Sequence, residues 1–408
     1  MSTDPGSSWE GCPTRVDHLH IGVLKEPSGS TRAEVEAVQE VSGRQSCVCL
    51  AGSARHTTSR TPQRPPPNLR ALDPGVGTRT LPKCDDASVQ ISVVVPTYGR
   101  PESLSRCLDA LASQDTRADE ILVVVRRNDL ASRQVTGQHA SDQIRPVLID
   151  VPAGRPGLVA AMNAGADASS GQIVCLTDDD ALPRADWITR LIAAFADDAS
   201  IGAVGGRDWV VYDGKAVTGA EATVGTLSWY GRVVGNHHLG VGPARNVAVL
   251  KGVNLSVRGD LLRQVGFDTR LRGGSTEHHW ELALCLRLLR MGRRVVYDPG
   301  IAVDHYPQPR VDESRDFSPQ QVRDAAHNET LALLEHLGPA GRLAHLLLAA
   351  AVGSAASPGL ARSMGSLLRD GTPKLRYIAA NVTGRHLAVI AYLRTLHGRH
   401  DEARTHSC

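Results

Sequence analysis

The sequence predicts an α/β fold, a mostly parallel sheet with helices on both faces, followed by a helical C-terminal region. Three observations predict it. Short apolar or β-branched runs recur at ISVVVP (91–96), EILVVV (120–125), PVLIDV (146–151), QIVCLT (172–177) and IGAVGG (201–206). Segments with apolar residues at helical spacing separate them, an alternation that implies βαβ crossovers. The 408 residues are 41% apolar and 22% charged, a composition that excludes a disordered chain and a polytopic membrane protein. A formal net charge of +2 provides no global field for nucleic acid, so none is expected as partner.

Residues 1–88 read as a poorly ordered N-terminal extension. Their Pro-, Arg- and Thr-rich stretch from Arg60 to Lys83 suits a solvated linker. The first residues have neither a basic region nor an apolar run, so no secretory signal is expected. The eight cysteines lack recurrent spacing and read as free thiols of a reducing cytoplasm. The α/β domain is expected over 89–312 and the helical region over 313–408. Within the former, Pro101 opens a helix with Leu104, Cys107, Leu108 and Leu111 on one face. Further helices follow at 157–170 and from Trp187 to Phe195. A Gly-rich stretch to Arg245 reads as a loop or lid, and KGVNLSVR (251–258) as a strand. A helix spans 280–291, and RRVVYDP and IAVDHY are two short strands. From Pro319 the chain reads as helical, with breaks near Pro339, Pro358 and Pro373.

Ligands of such sheets bind beyond the carboxyl ends of the strands. There the fourth run ends in Asp178-Asp179-Asp180. In extended backbone Asp178 and Asp180 point to one face and Asp179 away. Two crowded carboxylates need a compensating cation or donors, and hard oxygen ligands suit Mg²⁺ or Mn²⁺. The alternative at this point is an acidic turn capping the helix that follows.

ISVVVPTYGRPESLSRCLDAL, PGLVAAMNAGADASSGQIVCLTDDDALPRADWI and GVNLSVRGDLLRQVGFD, in that order, resemble a family 2 glycosyltransferase of the GT-A fold over about residues 90–310. The resemblance implies inverting transfer of a sugar from a nucleotide-diphosphate donor, assisted by Mg²⁺ or Mn²⁺. It assigns Pro96, Thr97, Tyr98 and Arg100 to the first nucleotide-binding turn, and adds Asp129, Asn163, Asp178 and Asp179 to the donor-binding set. It makes Asp180 a metal ligand and His305 a further one, with Asp304 available to orient the imidazole ring. Where the family has an acidic pair before R-x-x-x-x-G, this chain has Glu277-His278-His279-Trp280-Glu281. A base near the acceptor hydroxyl is required. Glu281 is the first choice, Glu277 the second if the helix extends one turn back, and His279 the third. Trp280 is expected in the core.

Between Arg342 and Arg362 the chain carries no charged residue, and from Pro358 onward basic residues outnumber acidic ones. Peripheral contact of the C-terminal helices with a membrane is expected, against the alternative of a helical subdomain packed on the sheet. The expected partners are a nucleotide-sugar donor and a glycan, lipid-linked or small-molecule acceptor. The setting is the cytoplasm, extending to the inner face of the cell membrane, in cell-envelope polysaccharide synthesis. A catalytically silent nucleotide-sugar-binding or scaffold protein is the alternative that the His278-His279 pair motivates.

Overall fold

The computed structural model describes residues 89–150, 157–196, 198–273, 277–308, 318–353, 359–361, 364 and 375–405. The extension at 1–88 and the breaks near Pro358 and Pro373 lie outside the described residues. The chain enters at β1 (Ile91–Thr97), then α1 (Pro101–Ala112), β2 (Glu120–Arg126), α2 (Leu130–Gln138), β3 (Ile144–Ile149) and α3 (Leu158–Ala168). Next come β4 (Ile173–Leu176), β5 (Ala181–Pro183), α4 (Trp187–Ala196) and β6 (Ile201–Tyr212). Short strands β7 (Lys215–Ala216), β8 (Thr226–Leu227), β9 (Val233–Val234) and β10 (Arg245–Asn246) precede β11 (Leu255–Arg258) and α5 (Gly259–Val265). The chain closes with α6 (Trp280–Arg290), β12 (Arg294–His305), α7 (Pro319–His336), α8 (Pro339–Ala351) and α9 (Leu375–Thr405).

The sheet order is β10-β12-β6-β11-β4-β1-β2-β3. Its central strands β1, β2 and β4 are buried on both faces, which is why they read as continuous apolar runs rather than alternating ones. In β1, Val93 and Val95 face α1 and α4, whose Leu104, Leu108, Trp187 and Leu191 complete one core. Val94 faces the opposite core, built with Met162 of α3, Leu262 of α5 and Leu284 of α6. Gly165 of α3 lets that helix sit directly on the methyls of Val94 and Val124. Leu333 and Leu337 of α7 join the same core.

The mostly parallel pairing expected is present in β3-β2-β1-β4 and between β6 and β12. Between these blocks β11 runs antiparallel to both β4 and β6, so the sheet is mixed. β11 is also shorter than expected, because Gly252–Asn254 form a one-turn 3-10 helix. The two strands expected at the C-terminal end of the domain are one strand, β12, with a register shift between Asp298 and Ala302. Gly206 of β6 makes room there, since a Cβ would meet the carbonyls of Ile301 and Asp298. The Gly-rich stretch is pinned rather than loose. Arg207 donates to the carbonyls of His238, Gly240 and Gly219, and Asn236 to that of Thr223.

Candidate functional site

The carboxyl ends of β1 and β2 and the start of α3 enclose a cleft lined by Pro96, Thr97, Tyr98, Arg100, Arg126 and Asp178. The chain turns sharply after β1 because Gly99 adopts φ 68°, a conformation that favours glycine. The Gly99 N–H donates to Asp129 Oδ2 at 2.6 Å, while Asp129 Oδ1 caps α2 through Ser132 N at 3.1 Å. Asp129 therefore shapes the turn from behind. The guanidinium of Arg126 lies 3.9 Å from the centre of the Tyr98 ring, giving the cleft a flat, cationic wall.

Below this wall stand the three aspartates. Asp179 is fully buried; it accepts from Thr97 Oγ1 at 2.7 Å and pairs with Arg100. Burial pushes its carboxyl up to about 7 against the pull of Arg100. Asp179 is thus turned into the protein and away from the group that Asp178 and Asp180 form, and the Arg100–Asp179 pair braces the turn. Asp180 accepts from Arg100 Nη1 at 2.7 Å and from Gln308 N at 3.0 Å. Burial would raise Asp180, but His305 and Arg100 hold it well below the usual carboxylate range.

His305 reaches Asp180 through strand pairing. β5 follows the aspartates directly and pairs antiparallel with the end of β12, setting His305 opposite Ala181. The imidazole then lies between two carboxylates, Nε2 3.5 Å from Asp180 Oδ1 and Nδ1 3.6 Å from Asp208 Oδ2. Burial lowers its basicity, but the two carboxylates raise it to about 9. Asp208 is itself fully buried and bound to Lys251 Nζ at 2.7 Å. Asp304 does not orient the ring as expected. It faces the other side of β12 and pairs with Arg184 at 2.8 Å.

Asp178, Asp180 and His305 each offer a ligand atom within 4.8 Å of the others. Asp180 Oδ1 is buried without a hydrogen-bond partner, as an oxygen reserved for a cation would be. Two carboxylates and an imidazole suit Mn²⁺ and, less selectively, Mg²⁺. The residues present therefore fit a divalent ion. Glu281 occupies the first turn of α6, where its carboxylate feels the charges of Asp178 and Lys251. Burial and the charge of Asp178 raise it above an ordinary glutamate.

Residues 92–246 match the model of the glycosyl transferase family 2. That match takes in under half of the chain, and the curated relatives that the chain resembles carry glycosyltransferase names. A glucosyl-dolichyl phosphate glucuronosyltransferase of Haloferax volcanii is 28% identical over 227 residues, 53% of this chain and 69% of its own length. Glycosyltransferase AglE of the same organism is 29% identical, covering 47% of this chain and 59% of its own. A pre-mycofactocin glycosyltransferase of Mycobacterium tuberculosis is 26% identical, over 53% of this chain and 42% of its own. The chain thus spans between two fifths and about two thirds of these relatives. Among solved structures, GalNAc-T7 with UDP, GalNAc and Mn²⁺ gives a TM-score of 0.47 at 15% identity, over 61% of this chain and 48% of the other. Mannosyltransferase PcManGT from Pyrobaculum calidifontis, with GDP-Man and Mn²⁺, gives 0.42 at 19%, over 76% and 90%. Both likenesses are remote.

Of the residues expected at the site, Asp129 and Asp179 brace the turn, and Asn163, Glu277 and His279 lie away from the cleft. Asn163 places both its amide groups on the backbone of Phe267, at 2.8 and 3.1 Å, and so ties α3 to the loop after α5. Glu277 is not on α6, because His279 takes a left-handed φ of 66° and starts the helix at Trp280. Its Oε2 instead accepts from Val159 N at 3.4 Å, at the start of α3. His279 is half-buried at that corner. Trp280 fills the core, edge-on to Phe267 at 5.4 Å. Arg126, Asp208 and Lys251 are site residues that the sequence did not point to. For Arg126 the signal was available, since it ends a strand that enters the cleft.

Proposed function

We propose that this chain transfers a sugar from a nucleoside-diphosphate donor to an acceptor hydroxyl with inversion, on a GT-A frame and in the presence of Mg²⁺ or Mn²⁺. The observation that carries it is the convergence of Asp178, Asp180 and His305 at the foot of a strand-end cleft, with Glu281 close by. Asp178, Asp180 and His305 would hold the cation, which when bound supplies charge compensation for the departing diphosphate. The Tyr98–Arg126 wall offers stacking area to a base, and Pro96, Thr97 and Asp178 line the ribose side of the cleft. Arg100 holds Asp179 and Asp180 in place and favours the charged form of Asp180. Glu281, made more basic by burial and by Asp178, takes the proton of the acceptor hydroxyl as that oxygen bonds to the anomeric carbon and the diphosphate leaves.

The acceptor class follows less from the cleft than from relatives. One of them is named for glucosyl-dolichyl phosphate, a sugar on a lipid carrier. A lipid-linked acceptor used at the inner face of the membrane, in cell-envelope polysaccharide synthesis, belongs to this reading.

A thermal-shift screen of nucleotide sugars with and without Mn²⁺ identifies the donor. Asp180→Ala then loses metal-dependent donor binding, whereas Glu281→Gln keeps binding and loses transfer by a factor of ~10²–10⁴. Undiminished transfer in both variants overturns the reading.

A further inference from the structure

Away from the cleft, the outward face of α8 is apolar and bare. Leu343 and Leu347 are 61% and 63% exposed, and Leu348 and Val352 beside them 45% and 43%. The opposite face, Gly341, His345 and Ala349, is buried. The helix therefore lies flat on the protein with its leucines outward. Trp229, 68% exposed, adjoins the same helix. Its turn rests on α8, the Trp229 carbonyl against Gly341 and Gly231 against the ring of His345.

Single exposed leucines need no explanation, but a helix face of them beside an exposed tryptophan does. Charge narrows what such a face meets. Between Glu335 and Asp370 the sequence has no acidic residue, while Arg342, Arg362 and Arg369 fall inside that stretch. Arg232, exposed, follows the Trp229 turn. An apolar helix face with an aromatic anchor, the exposed Arg232 beside it and no acidic residue in its stretch of sequence is suited to the headgroup layer of an anionic bilayer. No described helix is long and apolar enough to cross a membrane, so α8 would lie on the surface rather than span.

We propose that α8 and the Trp229 turn dock this protein on an anionic lipid bilayer. A buried network holds α8 in place for the task. Arg385 of α9 donates to Glu329 and Thr330 of α7 and lies 3.3 Å from His345 of α8. One residue earlier on α7, Asn328 donates to the carbonyl of His278, three residues before Glu281. The docking face is thus joined through α7 to the corner where the acceptor base begins. A hydroxyl carried by a lipid-borne acceptor would be presented from that side. This extends the glycosyl-transfer reading and rests on it for the acceptor, although docking itself needs neither donor nor metal.

Flotation of the full chain with phosphatidylglycerol–phosphatidylcholine vesicles, against phosphatidylcholine alone, tests it. The protein is expected to float with the anionic vesicles and to bind less as salt rises. Leu343→Ser/Leu347→Ser and Trp229→Ala should each lower the partition coefficient roughly tenfold or more with little change in Tm. Protein that remains unbound to anionic vesicles, or variants that float like the parent, overturn the proposal. So does a dimer in solution that the double leucine variant turns into a monomer, since a second copy then covers the face. Because vesicle binding is read without a donor, failure of docking and failure of transfer are told apart.

Discussion

Replacing Asp208 by Asn tests whether a residue that never touches the cleft governs cation affinity. Asp208 lies 3.6 Å from His305 Nδ1, and its charge favours the tautomer that keeps a proton on Nδ1 and leaves Nε2 to the metal side. Removing such an outer carboxylate typically costs 10–100-fold in affinity, about 1.4–2.7 kcal/mol. Asn retains an acceptor oxygen at nearly the same place and loses only the charge, which sets the expectation near tenfold. Asp208→Ala removes the acceptor as well and should approach a hundredfold. Lys251 loses its partner in either variant, but its side chain is 38% exposed and can turn to water, so the fold survives. Titration of Mn²⁺ into the protein, read by the electron paramagnetic resonance of the free ion, gives the affinity directly. Asp304→Asn is the control, because Asp304 pairs with Arg184 on the other side of the strand. Equal Mn²⁺ affinity in Asp208→Asn and the parent, or an equal loss in Asp304→Asn, refutes the reasoning.

Two further predictions concern stability. Glu120 accepts from Ser92, from Ser170 and from Arg145; against the upward push of burial, these donors bring it down to about 2. Its folded-state pKa is below the unfolded one, so its contribution is present above roughly pH 4.5 and is lost as pH falls through about 2. Denaturant unfolding of Glu120→Gln should show a deficit of about 1 kcal/mol at neutral pH, partial exposure having reduced it, that closes towards pH 2; a constant deficit contradicts the account. Gly165→Ala drives a methyl against Val94 and Val124, and overpacking of ~1–3 kcal/mol should outweigh the ~1 kcal/mol of helix propensity gained. A Tm above that of the parent shows that α3 moves aside at little cost.

The strands of the parallel half were legible because burial on both faces writes them as unbroken β-branched runs. β11 was legible as a strand but not as an antiparallel one, since a four-residue strand says nothing about the direction in which its neighbours run. Asp178, Asp180 and His305 could be singled out, being acidic residues at a strand end and a histidine at the end of another. Their meeting depends on β5, three residues long, which carries too little pattern to be paired with β12 in advance. Asp208 and Lys251 lie 43 positions apart and meet only through tertiary packing. The helix start expected at Trp280 is where α6 begins, and the left-handed backbone at His279 rules out the extra turn that would have put Glu277 on its face.

β4 leads through the aspartates into β5, β5 pairs with β12, β12 with β6, β6 with β11, and β11 with β4 again. These five strands close a circuit, with Asp180 and His305 seated where it is sealed. Neither residue can drift away without breaking a ladder, so the pocket is rigid before anything enters it. The amide proton of Tyr306, bonded to the Asp180 carbonyl at 2.9 Å, should accordingly be among the last to exchange with solvent, and the entropy of gathering the ligands is met during folding rather than at each turnover.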